Sequence, residues 1–443
     1  MHKRFSTTRM IALGFALIIA LGTLLLSLPV AARTGESDIL TALFTAVSAT
    51  CVTGLAAADT YRHWTLFGQL VILCMIQVGG LGFMTIGVYI AVLLKRRIGL
   101  QERETLHESV NTLEIAGVVR LVKSIVQGAF IIEGIGAALL AVSFIPRFGA
   151  VRGIYFSIFH SVSAFCNGGF DLMGINEAYS SMTAFEGDAL VNLVLCALIL
   201  VGGIGFVVWD DVLKHKWHFK QYLLHSKIVI VSTLGLTVIG TLLFLIFENN
   251  ATLAGMTPAQ KLLGALFSSV TPRTAGFNTV DTASLSNAGT LLTMLLMFIG
   301  GSPGSTAGGA KTTTLAVLLC YAMAMIRGRE DINLFGRRLT ADVVKKANAV
   351  VVINLSLAFV ASCAVMALQP DISMTDVVFE VLSAINTVGM TTGITRNLNI
   401  ASKLIVALLI YCGRLGSLSF ALIFAKKPAS NAVREPQEKI IVG

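Results

Sequence analysis

Long apolar runs alternate with short polar segments along almost the whole chain. Each run is about 18 residues or longer, which is the length that an α-helix needs to cross a bilayer. The pattern predicts membrane helices at 11–32, 66–94, 124–146, 189–209, 227–247, 285–326, 347–369 and 402–425. The run at 285–326 contains a glycine-rich segment and is expected to form two half-helices around a loop. We therefore expect an all-α integral membrane protein.

Four short stretches between paired apolar runs repeat one pattern of small residues, a polar residue, a glycine and a large apolar residue. They are Ser48–Leu55, Ser163–Phe170, Val270–Phe277 and Ser383–Met390, and they align without a gap. The layout predicts four helix–pore loop–helix repeats around one pore, with eight transmembrane helices and four re-entrant pore loops. The expected units are 1–100, 101–225, 226–340 and 341–425, followed by a cytoplasmic tail at 426–443.

The shared glycine of these stretches indicates an ion filter. Glycine tolerates positive φ, so four glycines can turn backbone carbonyls toward one axis. A ring of carbonyls that replaces the water shell of an ion is how a membrane pore selects a cation. The predicted filter residues are Val52, Thr53, Gly54, Asn167, Gly168, Gly169, Thr274, Ala275, Gly276, Thr387, Val388 and Gly389.

The second apolar run of each unit carries a glycine cluster, at 79–83, 202–206, 300–304 and 413–417. In the third unit the cluster opens a loop of small residues that could obstruct ion passage at membrane depth. In the fourth unit Arg414 takes the place of a glycine, and an arginine facing the path would repel a cation. The alternative is an arginine that snorkels or braces another helix. The predicted gate residues are Gly300, Gly301, Ser302, Pro303, Gly304, Ser305, Thr306, Ala307, Gly308, Gly309, Lys311 and Arg414.

The same loop has some likeness to a phosphate-binding loop, but the spacing is wrong. That motif places its lysine directly after the second glycine and follows a strand. Here Ala310 separates Gly309 from Lys311, and apolar runs flank the loop. We expect no nucleotide to bind this chain.

Composition and charge agree with a membrane protein. The 443 residues are 55% hydrophobic and 13% charged, about half the charged fraction of a soluble protein. The net charge of +9 comes from Lys and Arg clusters in polar segments such as 95–103, 214–227 and 327–346 and at both ends. Short basic segments stay in the cytoplasm, so both termini are expected inside and the filters are expected to open outward. A nucleic-acid partner is not expected.

The basic start and first apolar run resemble a signal peptide, but the run is too long and is expected to remain as a span.

Few other side chains suggest chemistry. The seven cysteines lack metal-ligand spacing and are expected to be buried hydrophobes. His160 is expected to be a packed or capping residue. Glu133 and Glu380 lie in apolar stretches, where ionisable groups are usually functional; the partner of Glu133 is not evident, and Glu380 is expected to pair with an arginine. No arrangement of residues indicates an enzyme.

Two classes of transport function remain open. One is a channel-like cation uptake protein with an outer filter and an inner gate. The other is a secondary cation symporter that works by alternating access. Symporters commonly show inverted repeats and a site at the middle of the membrane, whereas this chain has parallel repeats and no acidic pair in midspan. The sequence therefore favours the channel-like class.

The filter stretches and the loop at 300–309 resemble the superfamily of Trk, Ktr and plant HKT potassium transporters, most closely the Ktr membrane subunits. The stretch Thr271–Asn278 is especially specific. The resemblance implies potassium bound in the filter, a gate formed by the 300–311 loop and Arg414, and a bacterial cell membrane location. It also implies a homodimer with one pore per protomer, on a cytoplasmic ring, octameric in that family, of nucleotide-binding RCK-domain subunits (KtrA-like). In HKT proteins a serine often replaces the first filter glycine and favours sodium; Gly54 argues against that here.

Overall fold

The computed structural model describes residues 7–35, 38–94, 118–329 and 331–424, together with Glu438. Most of the predicted tail at 426–443 and the basic cluster at 95–103 lie outside the described residues. The regular secondary structure of the described part is helical, apart from one two-stranded hairpin of β1 (Asn333–Leu334) and β2 (Arg337–Arg338) and a single β-bridge between Ala32 and Trp64.

The helices follow one order four times: a long helix, a short helix, and then a pair of helices. The first two units contain α1 (Thr7–Leu26), α2 (Ile39–Thr50), α3 (Thr60–His63), α4 (Leu66–Leu81), α5 (Phe83–Leu93), α6 (Val118–Phe148), α7 (Ala150–Phe165), α8 (Ala189–Gly203) and α9 (Phe206–His215). The last two contain α10 (Leu224–Glu248), α11 (Pro258–Val270), α12 (Asn287–Ile299), α13 (Thr312–Ile326), α14 (Ala341–Leu368), α15 (Met374–Ile385), α16 (Ile400–Leu415) and α17 (Ser417–Phe424). Single turns of 3₁₀-helix lie at Met173–Ile175, Thr183–Phe185, Phe219–Gln221, Thr282–Ser284 and Ile394–Asn397.

The four long helices α1, α6, α10 and α14 are long and apolar enough to cross a membrane. Their outer faces carry exposed apolar side chains, such as Leu17 and Phe359, which are each 71% exposed. Such faces suit lipid rather than water. Two further helix pairs are bent, α4–α5 by 90° and α8–α9 by 96°, and each pair could count as one more span. The predicted total of eight spans and four re-entrant loops therefore stays a prediction.

The predicted break in the third unit is confirmed, since α12 and α13 are separated by residues 300–311. The predictions of unbroken helices at 66–94, 189–209 and 402–425 are wrong. Each is interrupted at a glycine with positive φ: Gly82 (83°), Gly205 (102°) and Gly416 (84°). A residue in this region ends an α-helix, and only glycine adopts it without steric cost.

The short helices place their buried ends at the centre of the molecule. The helix α11 begins with a capping box in which Thr257 and Gln260 satisfy each other's backbone amides. Its other end is buried, as are the corresponding ends of α2, α7 and α15. Phe44, Phe159 and Phe379, which share one column of the repeat, are 0–1% exposed. The four short helices therefore point their C-terminal ends at the repeated stretches.

Candidate functional site

The four repeated stretches share one unusual backbone. Two positions in each have positive φ, and the second is always the shared glycine. The first positions are Val52 (55°), Asn167 (57°), Thr274 (75°) and Thr387 (50°), and the glycines are Gly54 (99°), Gly169 (69°), Gly276 (81°) and Gly389 (94°). A β-branched residue at positive φ is a steric outlier, and such strain persists only where the surrounding structure enforces it. The recurrence in all four units makes the strain a property of the site.

The structure brings the four glycines together in a closed ring. A Cβ atom added to any one of them would meet the carbonyl oxygen just before the glycine of the next stretch. These distances are 2.9 Å from Gly54 to Gly168 O, 2.8 Å from Gly169 to Ala275 O, 2.8 Å from Gly276 to Val388 O, and 1.9 Å from Gly389 to Thr53 O. Backbone oxygens of all four units thus lie close to a common centre. Neutral carbonyl oxygens are hard ligands that suit an alkali-metal cation.

Hydroxyl groups at the ends of the short helices hold the stretches in place. The Gly54 amide donates to the Ser48 hydroxyl at 3.1 Å, and the Gly389 amide does the same to Ser383. In the second unit the corresponding serine, Ser163, instead donates its hydroxyl hydrogen to the Phe170 carbonyl. The third unit has Val270 in the serine column, and the next residue, Thr271, donates to the Phe277 carbonyl. Every unit thus keeps one hydroxyl support.

The short helices also contribute electrostatically. The C-terminal end of an α-helix carries a partial negative charge, and all four of these ends adjoin the ring. The glycine clusters make room for them: a Cβ atom on Gly79 would lie 1.9 Å from the carbonyl oxygen of Thr50, the last residue of α2. Gly202 and Gly413 lie equally close to the ends of α7 and α15. The arrangement favours a cation over an anion.

A cavity of about 160 Å³ adjoins the ring on one side. All four ring glycines line it, together with Asp171, Tyr179 and Arg396. The Arg396 guanidinium lies 4.3 Å from the centre of the Tyr179 ring. Burial and, to a lesser extent, the charge of Asp59 raise the pKa of Asp171 to about 7, against a backbone hydrogen bond that lowers it. We call this space the outer cavity, because the sequence predicts that the filters open outward.

The loop at 300–311 contacts the opposite ends of the stretches, before the ring glycines. A Cβ atom on Gly308 would lie 2.0 Å from the Thr387 hydroxyl, and the Ala310 amide donates to the Asn386 side chain at 3.2 Å. The Lys311 ammonium folds back on the loop and donates to the Gly308 carbonyl at 2.9 Å. The loop also bonds to the break between α8 and α9 through the Phe206 amide and the Gly304 carbonyl. It therefore lies on the side of the ring opposite the cavity.

Arg414 ties this loop to two other units. Its guanidinium donates to the carbonyl of Thr306 in the loop and to the carbonyls of Gly79 and Gly80 in α4. Within the ranges that the structure covers, no carboxylate pairs with it. The bracing contacts that the sequence left as the alternative are thus present. Its predicted part in gating remains a prediction.

The sequence missed the partners of Glu133 and Glu380. The Gln77 amide, on α4, donates to both carboxyl oxygens of Glu133, on α6, at 3.0 and 3.1 Å. The prediction that Glu380 pairs with an arginine is wrong, because its carboxyl accepts hydrogen bonds from the hydroxyls of Thr391 and Thr395. These partners lie 56, 11 and 15 residues away along the chain, and no local sequence signal marks them.

His160 is a packed residue, as predicted. The side chain is fully buried among phenylalanine rings and bonds to the Phe156 carbonyl at 2.7 Å. The expectation of buried cysteines holds in part. Four of them are buried (Cys51, Cys166, Cys196 and Cys412), whereas Cys74 and Cys363 are exposed and Cys320 is half-buried; all are free thiols.

Comparison with known proteins identifies the family. A family model described as TrkH, cation transport protein, matches residues 3–435. The chain belongs to this family. It is 42% identical to the potassium/sodium uptake protein NtpJ of Enterococcus hirae, over 100% of this chain and 98% of that protein. It is 41% identical to the Ktr system potassium uptake protein B of Bacillus subtilis, over 99% and 97% of the two chains.

A solved structure gives the same fold. The potassium transporter TrkH from Vibrio parahaemolyticus matches with a TM-score of 0.73 and 19% identity, over 96% of this chain and 86% of that one. The family match and the two full-length relatives confirm the resemblance to the Trk and Ktr transporters, and the solved structure confirms the helical fold class. Because these relatives are transporters, the expectation that the chain is not an enzyme is also confirmed.

Proposed function

We propose that this chain is the ion-conducting membrane subunit of a Ktr-type potassium uptake system. The observation that carries the proposal is the closed ring of four glycines, each facing a carbonyl oxygen of the next unit. The full-length likeness to two proteins named for potassium uptake supports potassium as the transported ion. The filter then consists of the carbonyl-bearing residues 52–54, 167–169, 274–276 and 387–389.

The proposed topology follows from the same repeat. Each unit contributes two spans and one re-entrant loop, giving eight spans and four loops around one pore, with unit boundaries near 100, 225 and 340. Basic segments between the units support a topology with both termini in the cytoplasm of a bacterial cell. The outer cavity then faces the exterior, and potassium enters through it.

The proposed gate is the 300–311 loop together with Arg414. The loop lies next to the inner ends of the stretches, so it blocks the path sterically, and the guanidinium adds an electrostatic barrier to a cation. The bonds of Arg414 to carbonyls of two units keep the loop in place. Withdrawal of either element opens the path.

The proposed assembly has partners outside this chain. It is a homodimer, each protomer with its own pore, on an octameric ring of RCK-domain subunits that binds the regulatory nucleotide. The helix α13 leads from the gate loop into the basic segment 327–346, and we propose that the ring moves the loop through this connection.

Ion flux into liposomes tests the function. The purified chain, reconstituted with and without a cytoplasmic RCK-domain ring, is expected to take up K⁺ down its gradient and to discriminate against Na⁺, with flux that depends on the ring. The competing symporter predicts instead that K⁺ uptake requires a second ion moving with it in fixed ratio. Obligatory coupling of that kind would overturn the channel-like mechanism, and absence of K⁺ flux in every condition would overturn the function.

A further inference from the structure

When the four repeats are aligned, one position on the short helices carries a side chain just before each filter stretch; we call this position the column. It lies nine residues before the ring glycine and holds Thr45, His160, Phe267 and Glu380 in the four units. All four are 0–1% exposed. They share a position on the short helices, yet they differ completely in chemistry, so the four stretches are not supported alike.

Glu380 binds the segment that follows the fourth ring glycine. The hydroxyls of Thr395 and Thr391 donate to its two carboxyl oxygens at 2.5 and 2.7 Å. The two hydroxyls lie 3.0 Å apart, and Thr391 also accepts from the Gly393 amide at 3.0 Å. Both threonines line the outer cavity next to Gly389. The carboxyl thus fixes the wall of the cavity just outside the ring.

His160 does the same in the second unit by different chemistry. Its Nε2 accepts a hydrogen bond from the Leu172 amide at 3.2 Å, while Nδ1 bonds to the Phe156 carbonyl. The network assigns the ring proton to Nδ1, since a backbone amide can only donate and a carbonyl can only accept. Leu172 comes three residues after Gly169, so the bond again reaches the segment just outside the ring.

In the other two units the side chain of this column supplies no such support; the Asn278 amide of the third unit donates instead to the Ser181 hydroxyl. Phe267 has no polar atom in its side chain, and the Thr45 hydroxyl has no hydrogen-bond partner among the residues described. The ring runs in the order Gly54, Gly169, Gly276 and Gly389, so the two supported stretches lie opposite each other. The support that this column provides is therefore present in two opposite units and absent from the two between them.

We propose that Glu380 and His160 are positioning residues that hold the outer ends of the two opposite stretches and thereby set the preference of the filter for K⁺ over Na⁺. This inference rests on the proposed function. A carbonyl ring discriminates between cations of different size only while its oxygens keep their spacing. When Glu380 and His160 hold two opposite stretches in place, the distance between these stretches sets the width of the ring, because the other two stretches lie between them.

Substitutions at this column test the inference in the same liposome assay, with K⁺ and Na⁺ uptake measured separately. Glu380→Leu removes both acceptors, and His160→Phe removes the acceptor but keeps a ring. Each is expected to lower the ratio of K⁺ to Na⁺ uptake about tenfold, as expected for the loss of a hydrogen bond to a buried polar group. Glu380→Gln keeps the shape and one acceptor, so it should restore most of the ratio. Thr45→Val is the matched control and should leave the ratio unchanged.

A double-mutant cycle separates positioning from general damage. Thr395→Val removes the donor instead of the acceptor, so it should lower the ratio by itself and add little to Glu380→Leu. It also keeps the test open if Glu380→Leu does not fold. Parental ratios in both Glu380→Leu and Thr395→Val would overturn the inference, as would an equal loss in Thr45→Val. Failure of the parent chain to transport K⁺ would instead overturn the proposed function.

Discussion

The ring glycines allow a sharp test, because the structure also contains a glycine, Gly255, with a similar positive φ and free space around it. In Gly389→Ala the new Cβ atom would lie 1.9 Å from the Thr53 carbonyl oxygen and 3.1 Å from the Gly54 Cα atom. In Gly255→Ala no atom lies within 4 Å of the new Cβ atom. The φ angles are 94° and 79°, so both variants bear a similar backbone cost of about 1–2 kcal/mol.

The difference between the two variants is therefore the clash. Real Cβ atoms essentially never approach another heavy atom closer than 3.0 Å, so the Thr53 carbonyl or the Gly389 backbone must move by roughly 1 Å. Functional sites hold their ligands to within about 0.5 Å. We expect the ratio of K⁺ to Na⁺ uptake to fall by at least about tenfold, which corresponds to about 1.4 kcal/mol of lost discrimination.

The assay is uptake of each cation by liposomes that contain equal amounts of folded protein, judged by size-exclusion chromatography. Gly255→Ala should keep the parental ratio and lose only stability. In Gly276→Ala the new Cβ atom would lie 2.8 Å from the Val388 carbonyl oxygen. The ratio of K⁺ to Na⁺ uptake of this variant should lie between those of the other two. A parental ratio in Gly389→Ala, or an equal loss in Gly255→Ala, would refute the argument that the ring carbonyls select the ion.

Three further predictions concern the gate and the packing around the ring. Arg414→Ala removes a positive charge and frees the Thr306 carbonyl. The K⁺ flux without a cytoplasmic partner should therefore rise roughly tenfold, which corresponds to a barrier lowered by about 1.4 kcal/mol. If the folded variant conducts no faster than the parent, the gate lies elsewhere. Gln77→Leu leaves the Glu133 carboxyl buried without its amide donor, which should cost about 1–3 kcal/mol and lower the Tm in detergent; an unchanged Tm would contradict the assigned pairing. Gly202→Ala places a Cβ atom 1.9 Å from a carbonyl oxygen of α7 and should lower both Tm and folded yield. The control is Gly134→Ala, in which no atom lies within 4 Å of the new Cβ atom and the free energy of unfolding should rise by up to about 1 kcal/mol from helix propensity. An equal loss of Tm in both variants would show that the close packing at Gly202 is unimportant.

The sequence by itself determined the helical membrane class and the four-unit repeat. Both depend on local properties. A bilayer requires long apolar runs, and a stretch that must adopt positive φ requires glycine, so each leaves a mark that can be read along the chain. The loop at 300–311 is marked in the same way, because clustered glycines and Pro303 interrupt an apolar run.

Other features were present in the sequence but needed the structure to be interpreted. The glycines at 82, 205 and 416 end helices, but a single glycine in a membrane helix is equally typical of close packing. Positive φ at residues such as Val52 could not be predicted, because valine strongly disfavours that conformation. It is held by hydrogen bonds from the Val52 and Thr53 amides to carbonyls at the end of α2 and by close contacts between the neighbouring stretches.

Only the tertiary structure decided which polar groups meet. Gln77 and Glu133 come from helices of different units that the fold brings within hydrogen-bond distance, and Arg414 reaches carbonyls of two other units. In a bilayer a polar group must find its partner inside the protein, so the need for a partner can be read from the sequence. The identity of the partner depends on how the helices pack, and that is set by contacts between residues far apart along the chain.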